Sequence, residues 1–191
     1  MERLKATLAS RNPNKARELS ALLPGWDVEP LDADEFPPEH GETYYDNARA
    51  KALYGRSVAG DAMWVLGEDS GIEVQGLGGA PGVHSARRAA GAEVEWLLGE
   101  LRDVEGSGRW ARYVCELVCL SPSGEEFRGT GTLEGRIAHE PRGREGFGFD
   151  PIFVPNGEER TVAELGNEWK RRHSHRARAA RALLSALGES R

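Results

Sequence analysis

GEDSGIEVQGLGGAPGVHSAR, residues 67–87, follows directly on the apolar run Met63, Trp64, Val65 and Leu66. An apolar run bounded by a turn signal predicts a buried strand, which sets the adjacent carboxylates Glu68 and Asp69 at its C-terminal end. Open α/β sheets hold their ligands at that end of the strands. Ser70 and Gly71 are expected to turn the chain, Ile72 and Val74 to alternate with polar neighbours in a second strand, and Gly76 to Gly82 to form a glycine-rich loop before Ser85, Ala86 and Arg87. Two acids beside a hydroxyl, near backbone amides that no side chain shields, suit a divalent cation and a phosphate, because hard cations such as Mg²⁺ take oxygen ligands and keep several waters. Local turn chemistry explains the same residues without a ligand, since Asp, Ser and Gly each favour turns for their own reasons. The other segments have to decide between these readings.

Toward the N-terminus, Leu4 to Ala9 predicts a first strand, followed by Ser10, Arg11, Asn12, Pro13, Asn14 and Lys15. Asn12 is a good N-cap and Pro13 suits the first helical position, so a helix is expected to about Leu23, burying Ala16, Leu19, Leu22 and Leu23 and stopped by Pro24 and Gly25. A strand passing straight into a helix N-terminus presents free N–H groups, and with Arg11 and Lys15 nearby this is a candidate anion site. Many Asn-Pro helix starts hold nothing. Trp26 to Leu31 reads as a strand, and Asp32 to Gly41 as an acidic, proline-bearing loop with Glu35 and Glu39, Glu42 lying just beyond. Thr43 and Asp46 form a capping-box pattern opening a helix to about Ala59, on which Asn47 and Lys51 share a face. Facing a ligand, Lys51 is a phosphate contact; facing water, it is an ordinary solvated lysine.

Toward the C-terminus, Glu93 to Leu101 predicts a short amphipathic helix with Val94, Leu97, Leu98 and Leu101 inward. Arg109 to Leu120 and Glu126 to His139 read as a long antiparallel hairpin across Ser121-Pro122-Ser123-Gly124, suited to a second lobe or a dimer surface. Pro141 to Pro151 contains EGFGFDP, where Phe147 and Phe149 either sandwich a nucleobase or plug a core edge. A brief strand, Ile152 to Val154, and a Pro155-Asn156-Gly157 turn follow. In the tail, Ser174 can cap a last helix striped by Ala177, Ala180, Leu183, Leu184 and Leu187, which puts His175 and Arg176 in its first turn. Cations oppose the helix dipole there, so helix stability does not explain them and a ligand does.

The chain has 191 residues, enough for one sizeable core, and a single domain over 1–191 is the default. No apolar run approaches a bilayer span and the N-terminus lacks a signal-peptide pattern, so a cytoplasmic protein with no membrane partner is expected. Cys115 and Cys119 lie about 13 Å apart on an extended strand, too far for a disulfide. The formal net charge of −6 is uneven: residues 170–191 carry +6, leaving −12 for the remainder. An acidic body with one basic segment is a poor nucleic-acid binder but can grip a small polyanion.

In order, SRNPNKAREL, YYDNARAKA, GEDSGIEVQGLGGAPGVHSAR, GFGFDPIF and SHRARA closely resemble the inosine triphosphate pyrophosphatase family, the non-canonical purine nucleotide pyrophosphatases, from about Leu4 to Leu187. The resemblance implies an α/β fold with an elongated mixed central β-sheet flanked by helices, two lobes with a substrate cleft between them, and a homodimer. It also implies Mg²⁺-dependent hydrolysis of ITP, dITP and XTP to the monophosphate and pyrophosphate. By position, Asp69 matches the catalytic acid and metal ligand, with Glu39, rather than Glu42, as the second metal carboxylate and Glu68 as a neighbour on the substrate. Ser10, Arg11, Asn12, Pro13, Asn14 and Lys15 match the phosphate-gripping loop, Lys51 a helix lysine facing the phosphates, and Ser70 a substrate contact. Phe147, Gly148, Phe149 and Asp150 match the base-side loop, and Lys170, His175 and Arg176 the residues closing over phosphates and base, with Arg176 or His175 donating to O6 of the purine.

The sequence departs from the family pattern at Arg11, where glycine is usual, at Glu68, where Asp is usual, and at Phe149, where Tyr is common. Arg11 adds a phosphate contact or blocks the approach. The second alternative leaves a non-catalytic nucleotide-binding module; a pyrophosphatase for other modified nucleotides is the milder variant.

Overall fold

The computed structural model describes residues 3–36, 38–88 and 91–188. Its elements are β1 (Leu4–Leu8), α1 (Pro13–Leu22), β2 (Trp26–Pro30), α2 (Tyr44–Ala59), β3 (Trp64–Val74), α3 (Ser85–Arg88), α4 (Glu93–Glu100), β4 (Trp110–Leu120), β5 (Glu126–Ile137), β6 (Phe153–Pro155), α5 (Val162–His173) and α6 (His175–Ala186). Polar caps fix where the helices start. Asn12 accepts from the N–H groups of Asn14 and Lys15 ahead of α1, and the Thr43–Asp46 capping box closes both ways ahead of α2.

The six strands form one mixed sheet in the order β2-β1-β3-β4-β5-β6. β1 runs parallel to β2 and β3, with Leu8 opposite Leu66, and β5 runs antiparallel to β6. The connection between β4 and β5 is closed by Gly124 N–H bonding to the Ser121 carbonyl and Ser121 N–H to that of Glu125. So short a link permits only an antiparallel hairpin.

The chain divides into two compact units: residues 1–69, 115–131 and 175–191 form unit 1, and residues 70–114 and 132–174 form unit 2. In unit 1 the sheet is covered on both faces. On one, Leu8, Leu66, Cys115, Leu117 and Cys119 pack with Ala16 and Leu19 of α1 and Ala179, Ala180 and Leu183 of α6. On the other, Val118 and Leu120 pack with Ala48 and Ala52 of α2. The unit 2 core gathers Ile72, Val74, Leu97, Leu101, Tyr113, Leu133, Phe149, Phe153 and Val162. Cys115 and Cys119 are both buried and are not joined in a disulfide. No helix among the described residues is long and apolar enough to cross a membrane.

Two features differ from the sequence expectation. Ser70 and Gly71 do not turn the chain, because β3 continues through them to Val74. The glycine at its middle serves close packing instead: a Cβ on Gly67 would lie 2.0 Å from the Ala48 carbonyl oxygen of α2. The second difference is α5, opened by a Thr161–Glu164 capping box and interrupted at Gly166, whose φ of 85° is non-helical. That break, with few apolar residues, hid its periodicity.

Candidate active site

Glu68 and Asp69 are neighbours in an extended strand, so their side chains leave opposite faces of the sheet. They lie just past the last parallel pair with β1, Leu8 opposite Leu66, rather than at the end of their own strand. The parallel part of the sheet therefore ends where the acids begin, which keeps the site at the carboxyl end of β1.

Glu68 points to the face covered by α1 and α6 and is fully buried. Its Oε2 lies 2.6 Å from Lys15 Nζ, and its Oε1 accepts from Arg176 Nη2 at 2.9 Å and Nε at 3.3 Å. Cys115 donates its S–H to the same oxygen at 3.5 Å. Burial alone would raise the carboxyl, but Lys15, Arg176 and Lys51 outweigh it and hold Glu68 well below the usual carboxylate range. Burial with Glu68 nearby pushes the Cys115 thiol well up, so it stays protonated and donates. Arg176, 2% exposed, also pairs with Glu18 of α1.

Asp69 points to the α2 face. Its Oδ1 accepts from Lys51 Nζ at 2.8 Å and its Oδ2 from Asn47 Nδ2 at 3.1 Å. The carbonyl oxygen of Asn47's amide accepts from Gly41 N–H at 2.9 Å, tying the 32–41 loop to the same helix turn. Lys51 also donates to the Glu68 carbonyl at 3.0 Å and pairs with Glu39. Burial raises Asp69 despite the pull of Lys51, making it a stronger base than a free carboxylate. For Lys51 burial opposes the charge, but Asp69, Glu39 and Glu68 prevail and raise it. Glu39 and Asp69 thus direct two carboxylates at one cationic point. That oxygen-only donor set fits a hard divalent ion. Among the described residues no three His, Cys, Asp or Glu side chains gather to hold a metal, so such an ion would complete its shell with water and phosphate oxygens.

The adjacent acids therefore do not face one ligand together, as the reading of two acids beside a hydroxyl had them. Glu68 anchors cations beneath the surface, and Asp69 works with Glu39, 30 positions earlier in the sequence. Asn47 is the residue that sequence reasoning left out of the site, although its shared face with Lys51 was visible in their spacing.

The phosphate-loop candidates also lie in unit 1. The N–H groups of Asn14 and Lys15 are taken by Asn12 and that of Asn12 by Ser10 Oγ at 3.1 Å, so this helix start does not present the free donors expected. Its charge comes from Lys15. Arg11 turns outward, donating to the Asp34 carbonyl at 3.1 Å with its guanidinium 5.1 Å from the centre of the Phe36 ring. His175 is buried at the start of α6.

Ser70, Phe147, Gly148, Phe149, Asp150 and Lys170 lie in unit 2. Ser70 is half-buried on β3. Asp150 Oδ2 accepts from Lys170 Nζ at 2.7 Å and from Phe147 N–H at 2.9 Å, and the ammonium sits 4.5 Å from the centre of the Phe147 ring. Phe149, 6% exposed, belongs to the core and not to a flexible clamp. Of the two phenylalanines only Phe147 is partly open.

A sequence model of the Ham1 family matches residues 6–186. The chain belongs to the Ham1 family. This Ham1 chain is 43% identical over 193 residues to a protein of Symbiobacterium thermophilum named dITP/XTP pyrophosphatase, covering 98% of this chain and 96% of that one. It is 44% identical over 192 residues to a Thermus thermophilus protein of the same name, covering 96% and 91%. Among solved structures, a Ham1 protein from Coxiella burnetii superposes with a TM-score of 0.84 at 33% identity, covering 98% and 100%. The Staphylococcus aureus Ham1 protein gives 0.81 at 33% identity, covering 96% and 98%.

Proposed function

We propose that this Ham1 protein is a nucleoside triphosphate pyrophosphatase that hydrolyses non-canonical purine nucleotides, dITP, XTP and ITP, to the monophosphate and pyrophosphate, using Mg²⁺ and working as a homodimer in the cytoplasm. The observation that carries this reading is the convergence, within unit 1, of Lys15, Lys51, Glu39, Glu68, Asp69 and Arg176 through contacts of ion-pair length. Names of relatives at 43% and 44% identity support the substrate class.

Glu39 and Asp69 would hold the metal, which when bound supplies neutralising charge to the triphosphate and polarises a phosphoryl oxygen. Asp69 also orients a water against the α-phosphorus and takes its proton; its raised pKa suits that role. As the water oxygen bonds to phosphorus, the bond to the α–β bridging oxygen breaks and its electrons leave with pyrophosphate. Lys15 and Lys51 stabilise that departing charge. Glu68 keeps Lys15 in place from below. The nitrogens of Arg176 are committed to Glu68 and Glu18, so it serves the cluster rather than O6 of the purine. Arg11, turned onto Phe36, leaves the alternative of a non-catalytic module without its reason.

The test supplies dITP, XTP, ITP, GTP and ATP with Mg²⁺ and identifies the products. Pyrophosphate release favouring the first three is expected. Release of inorganic phosphate, or equal rates on ATP, refutes the reading.

A further inference from the structure

Glu39 and Asp69 already share a cation. Lys51 Nζ lies 2.8 Å from Asp69 Oδ1 and 3.0 Å from the Glu68 carbonyl oxygen, and it pairs with Glu39. The three N–H bonds of the ammonium are thus matched by three oxygens, with the Lys51 side chain only 12% exposed. Asn47 holds Asp69 from the other side, so the carboxylate cannot swing toward a new ion without breaking a buried hydrogen bond. A divalent ion arriving alone would have to push this ammonium aside and then sit near it, two like charges in a largely dry site. An ion arriving on a triphosphate brings oxygens that the displaced ammonium can bind instead.

Resting on the metal-dependent reading above, we propose that Lys51 is a tethered counter-ion that keeps the Glu39–Asp69 pair closed to free divalent metal, so that the ion enters only together with the triphosphate. Binding order is then built into the chain: nucleotide and metal come as one, and the lysine passes from carboxylates to phosphates.

The probe is Mn²⁺ alone, followed by loss of its free-ion paramagnetic resonance signal and by calorimetry. The wild-type protein takes up no Mn²⁺ at submillimolar concentration, but with an uncleavable α,β-imido nucleoside triphosphate present it retains the ion beyond what the nucleotide alone complexes. Lys51→Met binds Mn²⁺ without nucleotide on the order of tenfold or more tighter than wild type. Mn²⁺ also raises its melting temperature, as any ligand of the native state does. Lys51→Arg, which keeps the charge, behaves as wild type. Tight Mn²⁺ uptake by the wild-type protein alone, or equal affinities in wild type and Lys51→Met, overturns the proposal. If Lys51→Met does not fold, the wild-type pair of measurements decides. None of these readouts uses turnover, so the counter-ion role can fail while pyrophosphate release stands, and the reverse.

Discussion

Glu68 in unit 1 and Asp150 in unit 2 are both buried carboxylates with a lysine partner, at 2.6 Å and 2.7 Å. Asp150 accepts from the Lys170 ammonium, the Phe147 N–H and, at 3.5 Å, the Tyr113 hydroxyl. Glu68 meets Lys15, Arg176 and Cys115, and through them its cluster extends to Glu18, while Lys51 links its carbonyl to Asp69 and Glu39. A compact pair with balanced charge fixes the 147–150 loop. A branched cluster with several interchangeable partners can trade one for a ligand and still leave no charge bare. Burial and sign are the same in both; the connectivity of the partners is what differs.

That contrast can be broken experimentally. Asp69→Asn should lower kcat by about 10²–10⁴-fold, the usual worth of a general base, with the circular dichroism spectrum unchanged. Asp150→Asn should affect the melting temperature more than it affects turnover. Comparable effects of the two on kcat would erase the distinction.

Next in size are the stability effects. Glu68→Gln takes from Lys15 its buried carboxylate and leaves Arg176 with Glu18, and Asp150→Asn takes from Lys170 its carboxylate partner; each should cost about 3–5 kcal/mol in denaturant unfolding. The double variants sharpen the comparison. Asp150→Asn with Lys170→Met should recover much of the loss, since both charges of a pair are gone. Glu68→Gln with Arg176→Met should recover less, because Lys15 stays buried against a neutral amide. Equal recovery would mean that the Glu68 cluster is also just a pair.

Asn47→Ala removes the clamp on Asp69 and the acceptor of Gly41 N–H. It should cost about 1–3 kcal/mol in stability and up to about 10²-fold in kcat. The smallest effect is expected at the α5 cap. The Thr161 N–H holds Glu164 below its ordinary value of 4.5. A carboxyl lowered in the folded state stabilises above its unfolded pKa, and that contribution is lost as pH falls through the folded value. Glu164→Gln should therefore be slightly less stable than wild type at neutral pH, with the difference closing as pH falls below about 4.5, so that the acid side of its stability profile is flatter.

Much of this arrangement was readable from local chemistry. Asn12-Pro13, Thr43 with Asp46, and the Ser121-Pro122-Ser123-Gly124 turn each satisfy or redirect backbone groups within a few residues, and each stands where expected. The departures came from partners distant in sequence. Ser70 and Gly71 looked like a turn, yet β3 runs on through them, and the helix that needs Gly67 bare lies earlier in the chain. Arg176 looked available because Glu68 and Glu18, which engage it, are 108 and 158 positions away. Phe149, next to Gly148, could be read either as a base clamp or as a core plug, because the core that receives it is assembled from β3, α4, β4, β5 and α5. Arg11, the most conspicuous departure from the family pattern, is neutralised as an obstacle by Phe36 and the Asp34 carbonyl, a contact across the loop that no periodicity records.

The bare backbone at Gly67 also sets a spacing. With α2 seated directly on the strand at Ala48 and Ala52, the reach of the lysine one turn along is measured from the floor of the sheet. A single methyl at position 67 would act as a shim under that helix, lifting Asn47 and Lys51 together away from Asp69. The protein would then lose its chemistry with every charged group still present.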